Sequence, residues 1–231
     1  IEAGVYELFN DVEIPLISVL AKMEIEVVGL DIEALKNYSN KLTKELFKIT
    51  QNIYEQAEVE FNITSPKQMG EILFDKMGLS KKPKKTKSGQ YSTSEETLLK
   101  LKHVHPIIDS ILTFRGIKKL LSTYVDALPD LVNKKTKRIH TTFNQAVTST
   151  GRLSSTNPNI QNIPIRTTRG MMVRKAFVAR DKNYTLMAAD YSQIELRIMA
   201  SLSQDDGMLS AFNNGLDIHA ATASKVFKVG I

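Results

Sequence analysis

The residue best placed to do chemistry is Asp190. It closes the apolar run Tyr184-Thr185-Leu186-Met187-Ala188-Ala189, which reads as a buried strand ending in a carboxylate. Alternation sets Tyr184, Leu186, Ala188 and Asp190 on one strand face. A strand end lies at a sheet rim, where a side chain meets solvent and ions. A hard carboxylate oxygen there suits Mg²⁺, which keeps several waters and takes one or two protein carboxylates beside substrate phosphates. An ordinary turn aspartate at a strand end is the other reading of the same residue. Ser192 and Glu195 follow at capping-box spacing, before a helix carrying Ile194, Leu196, Ile198 and Met199. Further on, Asp217 can cap a helix and so put His219 in its first turn, where backbone N–H groups favour an anion. Without such a ligand His219 is a surface histidine. Asp31-Ile32-Glu33 has the Asp-x-Glu spacing of proofreading exonucleases, but it opens an amphipathic helix, and capping accounts for both carboxylates.

The cations have a direction. The net charge of +6 divides into −7 over residues 1–80 and +13 over residues 81–231. Ten basic residues and no acidic one lie between Leu131 and Arg180. Such a composition faces a polyanion, and nucleic acid is the leading expectation, because each phosphate neutralised releases counterions. The run Lys81-Lys82-Pro83-Lys84-Lys85-Thr86-Lys87-Ser88-Gly89 has no apolar residue to bury and must be an exposed basic loop. Zero Cys excludes disulfides, thiolate zinc sites and Cys nucleophiles; it is compatible with a reducing compartment, and a cytoplasmic location is the expectation. No apolar run approaches the roughly 18–20 residues of a membrane span, and no signal-peptide pattern is present. The opening Ile-Glu-Ala suggests a piece of a longer protein.

The elements that must hold these residues fall into two kinds. From Asp31, the residues Ile32, Leu35, Leu42, Leu46, Ile49 and Ile53 recur at three- and four-residue steps, predicting one long helix. Ser65-Pro66-Lys67-Gln68 predicts a capped helix through Leu73 that stops at Gly78, and Ser92 with Glu95 another before Leu98. Pro106 opens a further helical pattern through Tyr124, with Gly116 as a weak point. Near Pro129 the character changes. Ile139 to Val147 and Val173 to Val178 look strand-like around a polar stretch rich in Asn, Ser, Thr and Pro. Two short helices are expected around Met208–Asn213 and from Asp217 onward. The fold class is α+β, with an antiparallel helical subdomain over 1–128 followed by an α+β piece over 129–231.

The segment Asp190-Tyr191-Ser192-Gln193-Ile194-Glu195-Leu196-Arg197 resembles the first palm motif of family A DNA polymerases. Thr150-Gly151-Arg152-Leu153-Ser154-Ser155-Thr156-Asn157-Pro158-Asn159-Ile160-Gln161-Asn162-Ile163-Pro164 resembles that family's primer-template-binding stretch, and Asp217-Ile218-His219 with Ala221-Thr222-Ala223 its approach to the fingers. The N-terminal helices and Lys-rich tip are similar to its thumb. The resemblance implies template-directed DNA synthesis from deoxynucleoside triphosphates on a primer-template duplex, with no membrane partner. It implies that Asp190 ligates two Mg²⁺ ions, with Tyr191 offering its backbone carbonyl. Glu195 is implied as a steric gate against the ribose 2′-hydroxyl, Tyr191, Ser192 and Gln193 as part of the nucleotide site, and His219 as a triphosphate contact. Arg152 is implied in the minor groove near the primer end, with Asn159, Gln161, Asn162 and Arg166 nearby on the DNA and Lys81, Lys82, Lys84, Lys85 and Lys87 gripping the duplex. The family's second metal-binding Asp and its fingers helix do not occur in these 231 residues. The expectation is therefore a thumb plus part of an antiparallel-sheet palm, inactive alone and completed by the remaining polymerase domains. A non-catalytic duplex-binding module is the alternative.

Overall fold

Asp31 begins the element that organises the helical region. In the computed structural model, which describes residues 4–230, its carboxylate accepts the N–H of Ala34 at 2.9 Å and starts a 26-residue helix, Ile32–Ala57. Ahead of it, α1 (Tyr6–Leu8) passes through a wide π turn at Phe9–Glu13 into α2 (Ile14–Glu26), and β1 (Val28–Leu30) follows. The long helix is α3. At 1.5 Å per residue it is roughly 39 Å long, enough to serve two cores. Its first half buries Leu35, Tyr38 and Leu42 against Ile117, Leu120, Leu121 and Val125. Its second half buries Ile53 and Ala57 against Met69, Leu73, Leu98, Ile107 and Ile111. Leu46 and Ile49 touch both. The expected stripe is therefore present.

The remaining helices of this region are α4 (Pro66–Gly70), continued by a π turn over Glu71–Lys76, α5 (Glu95–Lys100), α6 (Ile107–Leu120), continued by a π turn over Leu121–Val125, and α7 (Ala127–Asp130). Asn52 bonds Ser110 (3.2 Å) while Ser39 bonds Asp126 (2.7 Å), so α3 and α6 run antiparallel. Ser65 caps α4 as its spacing predicts. The α5 cap is Ser94, not Ser92: Ser94 accepts from Thr97, and Ser92 instead joins the Ser94 and Thr97 hydroxyls. Gly116 breaks nothing, because α6 is helical on both sides of it and its Cβ position is open.

Beyond Asp130 the chain is mixed. β2 (Arg138–Ile139) and β5 (Phe177–Val178) flank β1 in an antiparallel sheet of order β2-β1-β5. Gly29 sits at its centre, where a Cβ would come within 3.0 Å of the Val178 carbonyl, so the close strand approach needs glycine. β3 (Thr142–Asn144) pairs with β4 (Ser154–Thr156) as a hairpin. Ile139 and Val173 belong to the same core as Leu35 and Leu128.

Two strand expectations fail in informative ways. Residues 168–174 form a helix, α8 (Thr168–Arg174), capped by Thr167 and burying Gly170 and Val173. A cap and a packed face outweigh the weak strand preference of Val, and only Phe177–Val178 is strand. The run Tyr184–Ala189 is not a strand and is exposed, with Met187 at 86%. No segment among the described residues pairs with it, and an unpaired extended chain leaves its backbone groups to water.

The chain divides into two compact units between Thr185 and Leu186. The second holds α9 (Ile194–Ser203), α10 (Asp206–Asn213) and α11 (Ile218–Phe227). No described helix is long and apolar enough to cross a membrane.

Candidate functional site

The basic loop is anchored at its base, and its tip closes on itself, the Gln90 carbonyl accepting from the Thr86 N–H at 2.7 Å. Lys81, Lys82, Lys84, Lys85 and Lys87 are all exposed. Lys85 bridges to Tyr91, whose ring packs on Phe74 at 5.1 Å and whose hydroxyl meets Asp75 at 2.5 Å. Behind it, half-buried Arg115 donates to the Thr93 carbonyl and hydroxyl and to Met69 Sδ. Burial pulls this guanidinium's pKa down, and Glu95 partly offsets it. The loop therefore leaves the helical region from a fixed stem and presents five ammonium groups to solvent, an arrangement that suits phosphates.

A second set of cations and amides lies on the turn following β3. Arg152 is exposed on the hairpin loop between β3 and β4, and Thr148 Oγ1 donates to its carbonyl at 2.5 Å. The chain after β4 is then tied down from beneath. Thr141 Oγ1 bonds the Pro158 carbonyl (2.7 Å), and Ser155 Oγ accepts from the Ile160 N–H (3.1 Å). Asn159 and Gln161 are left exposed on the turn, the Asn159 Oδ1 accepting from the Gln161 N–H at 3.0 Å.

Two tyrosines fix the next stretch. Tyr124 donates to the Asn162 carbonyl at 2.5 Å, and Tyr38 to the Arg169 carbonyl at 3.1 Å. Burial raises the pKa of the Tyr38 phenol, with Arg169 opposing, so it stays a donor. Gly170 packs under Pro164, where a Cβ would come within 2.5 Å and force the segment away. The result is a cavity of about 930 Å³ lined by Lys119, Tyr124, Asn162, Arg166 and Arg169 among others. Asn162 and Arg166 are exposed on its wall. Sequence reasoning did not single out Tyr38 or Tyr124 for this role. Tyr38 does fall on the α3 stripe at Leu35+3, and a buried hydroxyl there needs a partner.

In the second unit Asp190 is exposed, and its carboxylate has no hydrogen bond or ion pair among the described residues. Tyr191 is 81% exposed and Ser192 is exposed. α9 begins differently from its expected capping box. Its cap is Gln193, in the left-handed region at φ 56°, with no side-chain cap bond. The Ser192 carbonyl instead accepts from Arg197 Nε at 3.1 Å, and the Arg197 guanidinium lies over Phe212 at 4.6 Å. Glu195 is exposed on the first turn of α9. At α11, Asp217 accepts from the N–H groups of His219 (2.7 Å) and Ala220 (2.9 Å). These two bonds hold its carboxyl below the usual range. His219 is exposed and rims a cavity of about 450 Å³.

Among the described residues no three His, Cys, Asp or Glu side chains gather as a ready cation cage. A lone exposed carboxylate still fits Mg²⁺, which takes few protein ligands and completes its shell with water and substrate oxygens.

Comparison with known proteins gives one answer. The family model described as DNA polymerase family A matches residues 32–231. DNA polymerase I of Synechocystis sp. is 53% identical over 222 residues, which are 96% of this chain and 22% of that protein. The thermostable DNA polymerase I of Thermus aquaticus is 46% identical over 222 residues, 96% of this chain and 27% of its own. The solved POL domain of Pol1 from M. smegmatis, in complex with DNA primer-template and dNTP, superposes with a TM-score of 0.88 at 42% identity, over 97% of this chain and 39% of that one. The chain spans about a quarter of the length of the curated relatives it matches. With a family match over 200 of its 231 residues and an α+β fold shared with a solved polymerase domain, the chain belongs to DNA polymerase family A.

Proposed function

We propose that this chain is part of the synthetic machinery of a DNA polymerase I. It grips primer-template duplex and contributes one carboxylate to the site that joins a deoxynucleoside triphosphate to a primer 3′-hydroxyl. In this reading residues 1–128 act as the thumb and 129–231 as the N-terminal part of the palm. One observation carries the catalytic half: Asp190 is exposed with its carboxylate unspent on partners among the described residues, in a chain that superposes on a polymerase domain solved with primer-template and dNTP.

The reaction bonds the 3′ oxygen to the α-phosphorus while the bond from that phosphorus to pyrophosphate breaks. Little covalent work falls to the protein, so positioning and charge dominate. Asp190, with the Tyr191 carbonyl, would hold Mg²⁺, which neutralises charge on the triphosphate oxygens when bound. His219, on the first turn of α11, faces the same anionic ligand. Glu195 excludes a 2′-hydroxyl and so favours deoxynucleotides over the ribonucleotides of a single-subunit RNA polymerase. Arg152 donates to the N3 and O2 acceptors that every base pair shows in the minor groove, which tests pairing geometry without reading sequence. Asn159, Gln161, Asn162, Arg166 and the lysines of residues 81–87 hold the strands. In this reading the 231-residue polypeptide alone does not extend a primer, since the family's second metal-binding Asp and its fingers helix do not occur in its sequence.

The test is Asp190→Ala in a full-length DNA polymerase I carrying this segment. Primer extension should fall at least about a hundredfold while duplex binding is kept. Extension at the unaltered rate would leave only a duplex-binding module.

A further inference from the structure

Helix α2 and residues 138–145 are joined by polar contacts in antiparallel register. At the end of α2, Arg138 donates to Glu26 Oε2 (2.7 Å) and to the Ile25 carbonyl (3.3 Å). The Glu24 carbonyl pairs with His140 Nδ1 (2.8 Å), and the Glu24 carboxylate accepts the N–H of Phe143 (2.7 Å). Beyond the other end, Gln145 Nε2 donates to the Glu13 carbonyl (3.0 Å) and carboxylate (2.7 Å). The strand residues climb from 138 to 145 as the helix residues descend from 26 to 13.

These contacts end where the Arg152 loop begins. Phe143 is the middle residue of β3, opposite Ser155 of β4. Its amide, given to Glu24, points away from β4, so the carboxylate covers the open edge of the hairpin. Gln145 is the first residue beyond β3, and the loop returns to β4 two residues after Arg152. Charge-assisted bonds to a backbone N–H are short and directional, and half-buried Glu24 makes one at the stem of the loop.

We propose that Glu24 is a positioning residue for Arg152. Through the Phe143 amide it fixes the hairpin stem on α2, Glu13 and Gln145 close the stem, and Arg152 is thereby presented to the duplex from one place. The proposal rests on the reading of Arg152 as a DNA contact. It adds that an acidic residue, in the most acidic part of the chain, controls DNA affinity without touching DNA.

The test uses the whole 231-residue chain and a primer-template duplex. Glu24→Ala should weaken binding about fivefold, and Glu24→Gln, which keeps an acceptor oxygen, should recover most of it. The double variant Glu24→Ala/Arg152→Ala should bind no worse than Arg152→Ala, because residues acting through one another are not additive. Amide exchange over residues 143–153 should rise in Glu24→Ala, with the α3 core unchanged. Gln145→Ala cuts the second tie without altering α2, and it should give the same pattern should Glu24→Ala not fold. Losses that multiply in the double variant, or unchanged exchange over 143–153, overturn the proposal. Undiminished duplex binding by Arg152→Ala removes the DNA contact itself and with it the effect on affinity, while the exchange data separately decide whether Glu24 holds the hairpin.

Discussion

Arg152, Glu195 and Asp217 are told apart by different measurements. Arg152→Ala should weaken duplex binding roughly tenfold or more, the range for a hydrogen bond to a charged group. The loss should be equal across sequences, because the minor-groove acceptors recur in every pair. Glu195→Ala in the full-length enzyme should raise the kcat/KM for ribonucleotides relative to deoxynucleotides, with duplex binding unchanged; an unmoved ratio would remove the gate. Asp217 makes a pH prediction. Its folded pKa is depressed by the two N–H groups of α11, so its contribution is present above the ordinary carboxyl value of about 3.9. It is lost as the pH falls through the lower folded value. Amide exchange at His219 and Ala220 should accelerate on acidification, and Asp217→Asn, which keeps an acceptor, should flatten that dependence. Local roles such as the caps at Asp31, Ser65 and Asp217 were legible because donor and acceptor are two or three residues apart. The roles of Tyr38, Tyr124 and Glu24 were not, since their partners lie 131, 38 and 119 residues away.

At the scale of elements, α3 is the beam on which both helical cores are built. Leu42 is fully buried, and Leu42→Ala should cost about 2–5 kcal/mol in urea unfolding. Thr167→Ala removes the α8 cap and should cost about 1 kcal/mol. It should also loosen the segment bearing Arg166, seen as faster exchange over 164–170. Long amphipathic helices were legible because a single face must be buried, as the Leu35, Leu42, Ile53 stripe is. Strands were less so. Ile139 to Val147 resolves into β2 and β3 on different sheets, and Val173 is helical. The Tyr184–Ala189 run has strand composition, but a strand is a property of a pair, and no described segment supplies the second member. In relatives, this chain spans about a quarter of the length.

Across the whole molecule, the charge division between residues 1–80 and 81–231 gave the nucleic-acid reading before any element was placed. The structure keeps Lys81 to Lys87, Arg152 and Arg166 exposed, as that reading requires. Duplex affinity should fall steeply with salt. Removing one phosphate-contacting lysine of the 81–87 loop should lower the slope of log K against log salt by about 0.9, and a slope that no lysine moves would exclude phosphate contacts there. The α+β class was legible from the change in pattern near Pro129. The exposure of Asp190 agrees with the rim position expected of it, but the exposure of Tyr184–Ala189 was not legible, because it depends on what packs around a run that by composition should be buried.

The central claim is that Asp190 spends its carboxylate on a metal ion. The direct measurement is Mn²⁺ binding by electron paramagnetic resonance, on a full-length DNA polymerase I carrying this segment, with primer-template and a deoxynucleoside triphosphate present. Asp190→Asn should lose bound Mn²⁺ while the duplex stays bound. Equal Mn²⁺ binding by the two proteins would contradict the account.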